Sequence, residues 1–152
     1  MGMTGSGDLA VLHGRIASLL GARGQHYTTG RRALIEALAA LRRPATIGEL
    51  LVAAPGLATS TAYRNLTVLS EAGAVTRMTG SDEFGRFELS EQVSGEHHHH
   101  VVCSGCGLVL DARVPDRLEA ALEEAARAVA EVDNFAIVGH RLELVGRCGD
   151  CR

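Results

Sequence analysis

The sequence predicts an α+β protein with two domains, a helical N-terminal domain that ends in a β-hairpin and a smaller C-terminal α/β domain. Apolar residues recur at helical spacing through the first half of the 152-residue chain, whereas strand-like segments flank one helix in the second half. Residues 1–80 hold eight Arg and four acidic residues, which gives a net charge of +4. Residues 81–152 hold seven Arg and fourteen acidic residues, which gives a net charge of −7. A basic half joined to an acidic half indicates two separate tasks.

The N-terminal domain begins with two predicted helices. Residues 1–7 are rich in Gly, Ser and Thr without a pattern, and we expect them to be disordered. Asp8 suits the N-cap of the first helix, which a glycine ends. Thr28 or Thr29 suits the N-cap of a second helix that runs to about Leu41.

The next two predicted helices have the arrangement of a helix-turn-helix. The first is short and follows Thr46, and the second spans Ser60 to Ala72 after a Pro-Gly break. The second helix begins with hydroxyl, aromatic, cationic and amide side chains, which we expect to face outward and to suit phosphates and base edges. The alternative is that Tyr63 and Arg64 only cover a solvated surface. The predicted DNA contacts from this helix are Ser60, Thr61, Tyr63, Arg64 and Asn65.

Two β-prone segments, 74–78 and 85–89, flank a polar turn that contains glycine and predict a β-hairpin. A hairpin after a helix-turn-helix is a wing. Residues 8–90 are therefore predicted to form a winged-helix DNA-binding domain, which agrees with the basic charge. Residues 91–96 are acidic and without a pattern, so we expect a hinge there, followed by a second domain over residues 97–152.

Four consecutive histidines open the second domain and run into a C-x-x-C pair. Side chains alternate across a strand, so His98 and His100 should point to one face, and His97 and His99 to the other. One strand can therefore supply two separate metal sites.

The rest of the second domain is predicted to be an open α/β layer. A strand at 108–112, a helix with Pro115 at its N1 position, and a last strand from Phe135 to Val145 follow in order. A layer this small leaves one sheet edge bare. Pairing with a second copy would cover it, so we expect a homodimer, which also doubles the DNA-binding modules for a palindromic site.

The four cysteines form two C-x-x-C pairs about forty residues apart, Cys103 with Cys106 and Cys148 with Cys151. This spacing is typical of a structural zinc site with four thiolate ligands, and two disulfides are the main alternative. No signal peptide or membrane-spanning segment is visible in the sequence. We therefore expect a cytoplasmic, reducing location without a membrane partner, which favours zinc over disulfides.

Two further polar residues of this domain have simple structural explanations. A single histidine on an apolar strand face, such as His140, is more often a hydrogen-bonded core residue than a metal ligand. Glu119 begins a series with Glu123 and Arg127 at helical spacing, and the usual solvated face of such a series is expected for Glu123 and Arg127 more than for Glu119. The nearby histidine strand is the reason to consider both as ligands.

The order of these motifs resembles the ferric uptake regulator (Fur) family over about residues 8–152. The similarity rests on Thr61-Ala62-Tyr63-Arg64-Asn65-Leu66, on Arg86-Phe87-Glu88-Leu89, on the histidine strand, on His140 and on the two cysteine pairs. It implies a dimeric, metal-responsive transcriptional repressor that binds operator DNA when loaded with a divalent metal. Members sense iron, zinc, manganese, nickel, or peroxide through iron.

The resemblance also implies roles for individual residues. The family's structural zinc would be held by Cys103, Cys106, Cys148 and Cys151. Its regulatory site at the hinge would be formed by Glu88, His98, His100 and Asp111. A further site in the dimerisation domain would be formed by His97, His99, Glu119 and His140. In the DNA-binding domain, Arg31 matches the basic residue of the family's Thr-x-x-Arg element, and Tyr63 and Arg64 match recognition-helix contacts.

This chain departs from the family pattern at the hinge site. Many iron-type members bring a histidine there from the DNA-binding domain, and the aligned position is near Ala45, which cannot bind a metal. Zinc sensors often use a cysteine at this site, whereas all four cysteines of this chain belong to the two C-x-x-C pairs. The segment between Glu88 and His98 is also a few residues longer than usual, which leaves three carboxylates free to serve instead: Asp82, Glu91 and Glu96. Nitrogen and oxygen ligands suit Fe²⁺, Mn²⁺ or Zn²⁺, with iron slightly favoured here.

Two other classes of protein compete with a repressor. A small zinc-dependent hydrolase would need an open coordination position, a general base and a pocket for a small-molecule substrate, and the sequence has no H-E-x-x-H motif. A metal store that does not bind DNA would not need a basic half. Salt-dependent binding to a palindromic duplex separates a repressor from both.

Overall fold

The computed structural model describes residues 6–79 and 84–152 of the chain. It divides between His97 and His98 into two compact units, called here the N-terminal and C-terminal units. The disorder expected for residues 1–5, the predicted hairpin turn at 80–83 and the candidate ligand Asp82 lie outside the described residues. None of the described helices combines the length and the apolarity that crossing a bilayer requires.

The N-terminal unit contains four long or medium helices, α1 (Ser6–Gly21), α2 (Thr29–Leu41), α3 (Ile47–Ala53) and α4 (Thr59–Glu71). Helix α1 includes Ser6 and Gly7, which were expected to be disordered, and the predicted N-cap Asp8 lies within its first turn. The order and approximate bounds of all four helices agree with the sequence prediction.

Side-chain caps determine where α2 and α3 begin. The Thr28 side chain accepts a hydrogen bond from the Arg31 amide at the start of α2. Thr46 caps α3 and completes a capping box, because the Glu49 carboxylate accepts a hydrogen bond from the Thr46 amide at 2.8 Å. Threonine was predicted at both N-caps, and the structure confirms it.

Helices α1, α2 and α4 supply the core of the N-terminal unit through apolar residues at helical spacing. Each of these side chains is at most 3% exposed, and burying one such aliphatic side chain stabilises the fold by roughly 1.5–3 kcal/mol. The residues are Leu12, Ile16, Leu20, Leu34, Ile35, Leu38, Ala62, Leu66 and Leu69. Burial of this face of α4 leaves the opposite face at the surface.

A three-stranded sheet forms the wing, with strands β1 (Ala45–Thr46), β2 (Val75–Thr79) and β3 (Gly85–Leu89) in the order β1-β3-β2. The predicted β2-β3 hairpin is present and antiparallel. Strand β1 was not predicted, because two residues are too few to show an alternating pattern. It pairs Ala45 with Phe87 and makes β3 the central strand.

A short helix, α5 (Glu91–Ser94), lies where the sequence indicated no regular structure. The Val93 side chain is only 1% exposed and belongs to the core of the N-terminal unit. The Arg15 guanidinium also donates a hydrogen bond to the Val93 carbonyl at 3.0 Å. One turn holds a single apolar residue, which is too little to show helical periodicity.

The C-terminal unit is a three-stranded sheet with one helix. Strands β4 (His99–Cys103) and β5 (Val109–Ala112) pair antiparallel, helix α6 spans Asp116–Asp133, and strand β6 (Glu143–Gly146) pairs parallel to β4. The order β5-β4-β6 places the histidine strand in the centre. A 3₁₀ turn at Gly149–Cys151 follows.

Two details of this unit differ from the prediction. The last strand covers only 143–146 instead of 135–145, and Val138 is 100% exposed. The parallel register aligns His100 with Glu143, and β4 begins at His99, so residues before 143 have almost no length of β4 to pair with. Pro115 is the N-cap of α6 rather than its first helical residue.

Candidate metal centres and DNA-binding surface

The central strand β4 distributes its histidines to two faces. His99 is 2% exposed and points toward α6, whereas His100 is half-buried and lies opposite Asp111 on β5. His98 precedes the strand and is also half-buried. The strict alternation of side chains in a strand therefore leads to two separate clusters within the C-terminal unit.

The first cluster joins His99, Glu119 and His140. The His99 Nε2–H donates to Glu119 Oε1 at 2.6 Å, and the His140 Nε2–H donates to Glu119 Oε2 at 3.1 Å. The two imidazole ring centroids are 5.2 Å apart. One ligand atom from each residue lies within 4.8 Å of the others. Two imidazoles and a carboxylate at this spacing are a donor set that suits Zn²⁺, Fe²⁺ or Mn²⁺.

The simple explanations for His140 and Glu119 fit this geometry only in part, since His140 is hydrogen-bonded as expected of a structural histidine. Glu119 lies in the first turn of α6 and is 27% exposed, so its carboxylate faces the sheet rather than the solvent. His140 lies in an irregular segment and not on an apolar strand face. By contrast, Glu123, one turn further along α6, is exposed as expected for a solvated face.

The second cluster joins His98, His100 and Asp111. The antiparallel register places His100 directly opposite Asp111, and His98 Nε2 lies 3.9 Å from Asp111 Oδ1. The two imidazole rings stand edge to face, with centroids 5.0 Å apart. Ligand atoms of the three residues lie within 4.8 Å of one another. Two nitrogen donors and one carboxylate thus converge on this side of the sheet.

Two other candidate ligands, Glu88 and His97, belong to the N-terminal unit. Glu88 is a half-buried residue of the central wing strand, opposite Thr76. The His97 imidazole lies 2.7 Å from the carboxylate of Glu91, one of the carboxylates suggested as a substitute ligand. Ala45 is fully buried in β1 and offers only a methyl group, as the sequence indicated.

The four cysteine sulfurs form a third cluster, in which all ligand atoms lie within 4.8 Å of one another. All four are free thiols, and the Sγ atoms of Cys106 and Cys148 are 3.7 Å apart. A disulfide has a sulfur–sulfur distance of about 2.05 Å. A tetrahedral zinc site with Zn–S bonds of about 2.3 Å requires sulfurs about 3.8 Å apart. The arrangement fits zinc and not two disulfides.

The acid–base properties of these sulfurs also favour a bound cation. Backbone amides, that of Cys148 foremost, donate hydrogen bonds to the Cys103 sulfur and lower the pKa of Cys103 to about 6. The Cys151 thiol donates hydrogen bonds to the neighbouring sulfurs, chiefly Cys148, which raises the pKa of Cys151 to about 12. The cluster thus resists complete ionisation by itself, and a divalent cation would offset the repulsion between four thiolates.

Gly105 makes the close approach of the two cysteine pairs possible. A Cβ atom at this position would lie 2.9 Å from both Cβ and Sγ of Cys151, which is closer than carbon atoms pack. Glycine in the first C-x-x-C pair is therefore required by the geometry of the four sulfurs.

The exposed face of α4 carries most of the predicted DNA contacts. Ser60, Thr61 and Arg64 are exposed, and Tyr63 is 50% exposed. The prediction that Asn65 also faces outward is wrong in its orientation, since Asn65 is half-buried beside α2. It lies next to the buried stripe of α4, three residues after Ala62 and one before Leu66, which turns it toward the core.

Arg31, in the first turn of α2, contacts Asn65 directly. Its Nε–H donates to Asn65 Oδ1 at 3.4 Å, and its Nη2 group donates to Gln25 Oε1 at 3.2 Å. Its Nη1 group donates to the carbonyl of His26 at 2.5 Å. The contact between Gln25 and this arginine was not predicted from the sequence.

A polar cluster that was not predicted from the sequence joins α1 to α2. The Tyr27 hydroxyl donates to His13 Nδ1 at 2.7 Å, and His13 Nε2 lies 3.3 Å from the Glu36 carboxylate. Burial, together with the nearby Arg32 guanidinium, lowers the pKa of His13. Burial also raises the pKa of Tyr27 to about 12. These residues lie up to 23 positions apart, so no local pattern could have identified them.

The chain is similar to metal-responsive and peroxide-responsive regulators along most of its length. A model of the ferric uptake regulator family matches residues 22–145. The peroxide-responsive repressor PerR of Staphylococcus saprophyticus is 30% identical over 133 residues, which cover 85% of this chain and 84% of that protein. The Vibrio cholerae ferric uptake regulator is 30% identical with a TM-score of 0.67, covering 87% of this chain and 98% of that one. A zinc-bound manganese uptake regulator is 29% identical with a TM-score of 0.63, covering 88% and 98%.

These similarities agree with the geometry described above. The predicted fold class, a winged-helix DNA-binding domain followed by a small α/β dimerisation domain, is confirmed by the solved structures that match. The family model covers most of both units and extends from the end of α1 into β6. This chain therefore belongs to the ferric uptake regulator family, whose members are metal-responsive transcription regulators.

Proposed function

We propose that this protein is a metal-dependent transcriptional repressor that binds palindromic operator DNA as a metal-loaded homodimer and controls divalent-metal homeostasis. Iron is favoured over zinc and manganese as the sensed metal. The observation that carries the proposal is the division of the β4 histidines, because His99 meets one carboxylate and His98 and His100 meet another. One strand thus provides histidine ligands for two separate metal sites, which suits a metal-sensing protein.

The four cysteines hold the structural metal in this proposal, and Zn²⁺ is the ion that fits their spacing. Zinc at this site supplies the positive charge that four neighbouring thiolates require. Cys148 and Cys151 follow β6, so this site also fixes the segment after β6 against the end of β4. Its role is structural, because four thiolates leave no coordination position open.

The regulatory metal is proposed to be held by Glu88, His98, His100 and Asp111. Glu88 belongs to the N-terminal unit, and the other three residues belong to the C-terminal unit. Ligands on both sides of a linker can be satisfied together only in a restricted set of domain orientations, so metal would favour the orientation that fits DNA. An oxygen and nitrogen donor set suits Fe²⁺, Mn²⁺ or Zn²⁺. We place a further metal at His97, His99, Glu119 and His140.

A metal-by-metal DNA-binding titration tests the proposal. A duplex is first selected from a random-sequence library with protein loaded with Mn²⁺, which avoids oxidation during the selection. Binding of that duplex is then followed by fluorescence anisotropy with Fe²⁺, Mn²⁺ or Zn²⁺ and without added metal. We expect a palindromic sequence, an affinity that rises with metal, and a steep salt dependence. A duplex affinity that depends neither on metal nor on base sequence would contradict the proposal. The remaining candidate functions would then be a metal store and a hydrolase.

Peroxide sensing through iron is a second candidate, supported by the 30% identity to a peroxide-responsive repressor. In that case, peroxide should abolish DNA binding by the protein loaded with Fe²⁺ and leave the Mn²⁺ form unchanged. Mass spectrometry would then locate an added oxygen atom on a ligand histidine such as His98 or His100. Equal tolerance of both metal forms to peroxide would exclude this candidate and leave metal homeostasis.

A further inference from the structure

Arg31 is held in place before any DNA is bound. Its guanidinium donates hydrogen bonds to three acceptors, Asn65 Oδ1, Gln25 Oε1 and the His26 carbonyl. A guanidinium has five N–H donors, so these three bonds leave two for an external acceptor. Arginine otherwise loses considerable side-chain entropy when it is immobilised. Fixing the group in advance reduces that cost when it meets a phosphate.

Asn65 belongs to this arrangement and not to the exposed face of α4. Its Oδ1 atom faces Arg31 on α2. Its Nδ2 atom would lie only 3.1 Å from a Cβ atom placed on Gly30, so the first turn of α2 approaches the amide closely. Gly30 is thus the neighbour that leaves room for the Asn65 side chain. The outward face of α4 is left to Ser60, Thr61, Tyr63 and Arg64, which are exposed.

We propose that Asn65 and Gln25 are positioning residues that act through Arg31, and that Asn65 reads no base itself. This inference rests on the proposed DNA-binding function and specifies how one part of the surface works. Arg31 would donate its two remaining N–H groups to the DNA backbone, a contact that adds affinity equally for all sequences. Sequence discrimination would then come from the exposed residues of α4.

A double-mutant cycle on DNA binding tests the inference. The variants are Arg31→Ala, Asn65→Ala, Gln25→Ala and the doubles Arg31→Ala/Asn65→Ala and Arg31→Ala/Gln25→Ala. The exposed Thr67→Ala on α4 is the matched control. Affinity for the duplex selected by the wild-type protein is measured over a series of KCl concentrations and for each single-base-pair change in the duplex. Gln25 lies in an exposed loop, so its variant reports on the inference even where Asn65→Ala unfolds the domain.

Arg31→Ala should weaken binding to every duplex and reduce the salt slope by about 1, as expected for one lost phosphate contact. Asn65→Ala and Gln25→Ala should each weaken binding about threefold to tenfold, the range that one net hydrogen bond is worth, without changing base preference. In the Arg31→Ala background either change should cost less than about twofold.

Two results would overturn the inference. One is a loss from Asn65→Ala or Gln25→Ala that is as large without Arg31 as with it. The other is a change of preference at a single base pair in Asn65→Ala, which would make Asn65 a base-reading residue. Both results leave metal-dependent binding by the wild-type protein intact. If the wild-type protein itself selects no duplex, the proposed function fails, and that failure is separate from this one.

Discussion

Replacing Glu119 with alanine should destabilise the C-terminal unit and remove part of its response to metal. His99 is 2% exposed, and its ring nitrogen lies 2.6 Å from the carboxylate, so truncation removes the charged acceptor of this buried hydrogen bond. A hydrogen bond to a charged group contributes about 1.5–3 kcal/mol, and His140 loses the second bond to the same carboxylate. We expect a loss of about 2–3 kcal/mol in the free energy of unfolding.

The matched control is Glu123→Ala, which removes an exposed carboxylate one turn along the same helix. A substitution at such a surface position should change the free energy of unfolding by no more than about 0.5 kcal/mol. Urea denaturation would compare the variants with wild type at one fixed protein concentration, because assembly of copies makes stability depend on concentration. Zinc would be kept bound to the cysteines in all three proteins.

Metal provides a second comparison with the same proteins. A ligand present at 100 times its Kd stabilises the native state by about 2.7 kcal/mol, so Mn²⁺ should raise the unfolding midpoint of wild type and of Glu123→Ala. The unfolding midpoint of Glu119→Ala should rise much less with Mn²⁺. If Glu119→Ala matched Glu123→Ala both in stability without Mn²⁺ and in the stabilisation by Mn²⁺, the Glu119 carboxylate would have neither role.

Two further predictions concern the cysteine cluster and the contact between α1 and α2. Cys148→Ser should release the zinc that wild type carries, seen as loss of one zinc per chain in elemental analysis, and should lower Tm by more than about 10 °C; retention of zinc would exclude four-sulfur coordination. His13→Leu should flatten the pH dependence of stability. Because the pKa of His13 lies below 6.5 in the folded chain, the unfolded chain binds protons first, and stability falls as pH drops below 6.5. Urea unfolding from pH 7.5 to 5.5, with His26→Leu as the exposed control, checks this, and equal slopes in all three proteins would disprove it.

The clusters of the C-terminal unit could be predicted from sequence because they depend on local geometry. Alternation in a strand has a strict period of two, so consecutive histidines must separate onto two faces once a strand forms. Two C-x-x-C pairs similarly limit where four sulfurs can meet. The partners of the histidines, Asp111 and Glu119, came from the family resemblance, and their contacts depend on β5 and α6 packing beside β4.

What the sequence did not predict depends on contacts between distant residues or on very short elements. Asn65 has the composition of a DNA-contacting residue, but its position beside the buried stripe of α4 turns it toward Arg31 on α2. The last strand was predicted too long, because an alternating pattern does not reveal where the neighbouring strand begins. Helix α5 and strand β1 contain too few residues for any period to be visible.

His98 and His100 are proposed to couple metal binding to DNA binding, and a titration of operator affinity against metal measures this coupling. Operator affinity is measured against metal concentration for wild type and for His98→Ala/His100→Ala, both with one zinc per chain at the cysteines. Coupling between two sites is typically worth 5- to 150-fold in affinity, so metal should strengthen wild-type binding by roughly that factor. The variant should bind DNA weakly at every metal concentration. A metal response equal to that of wild type in the variant would contradict this proposal.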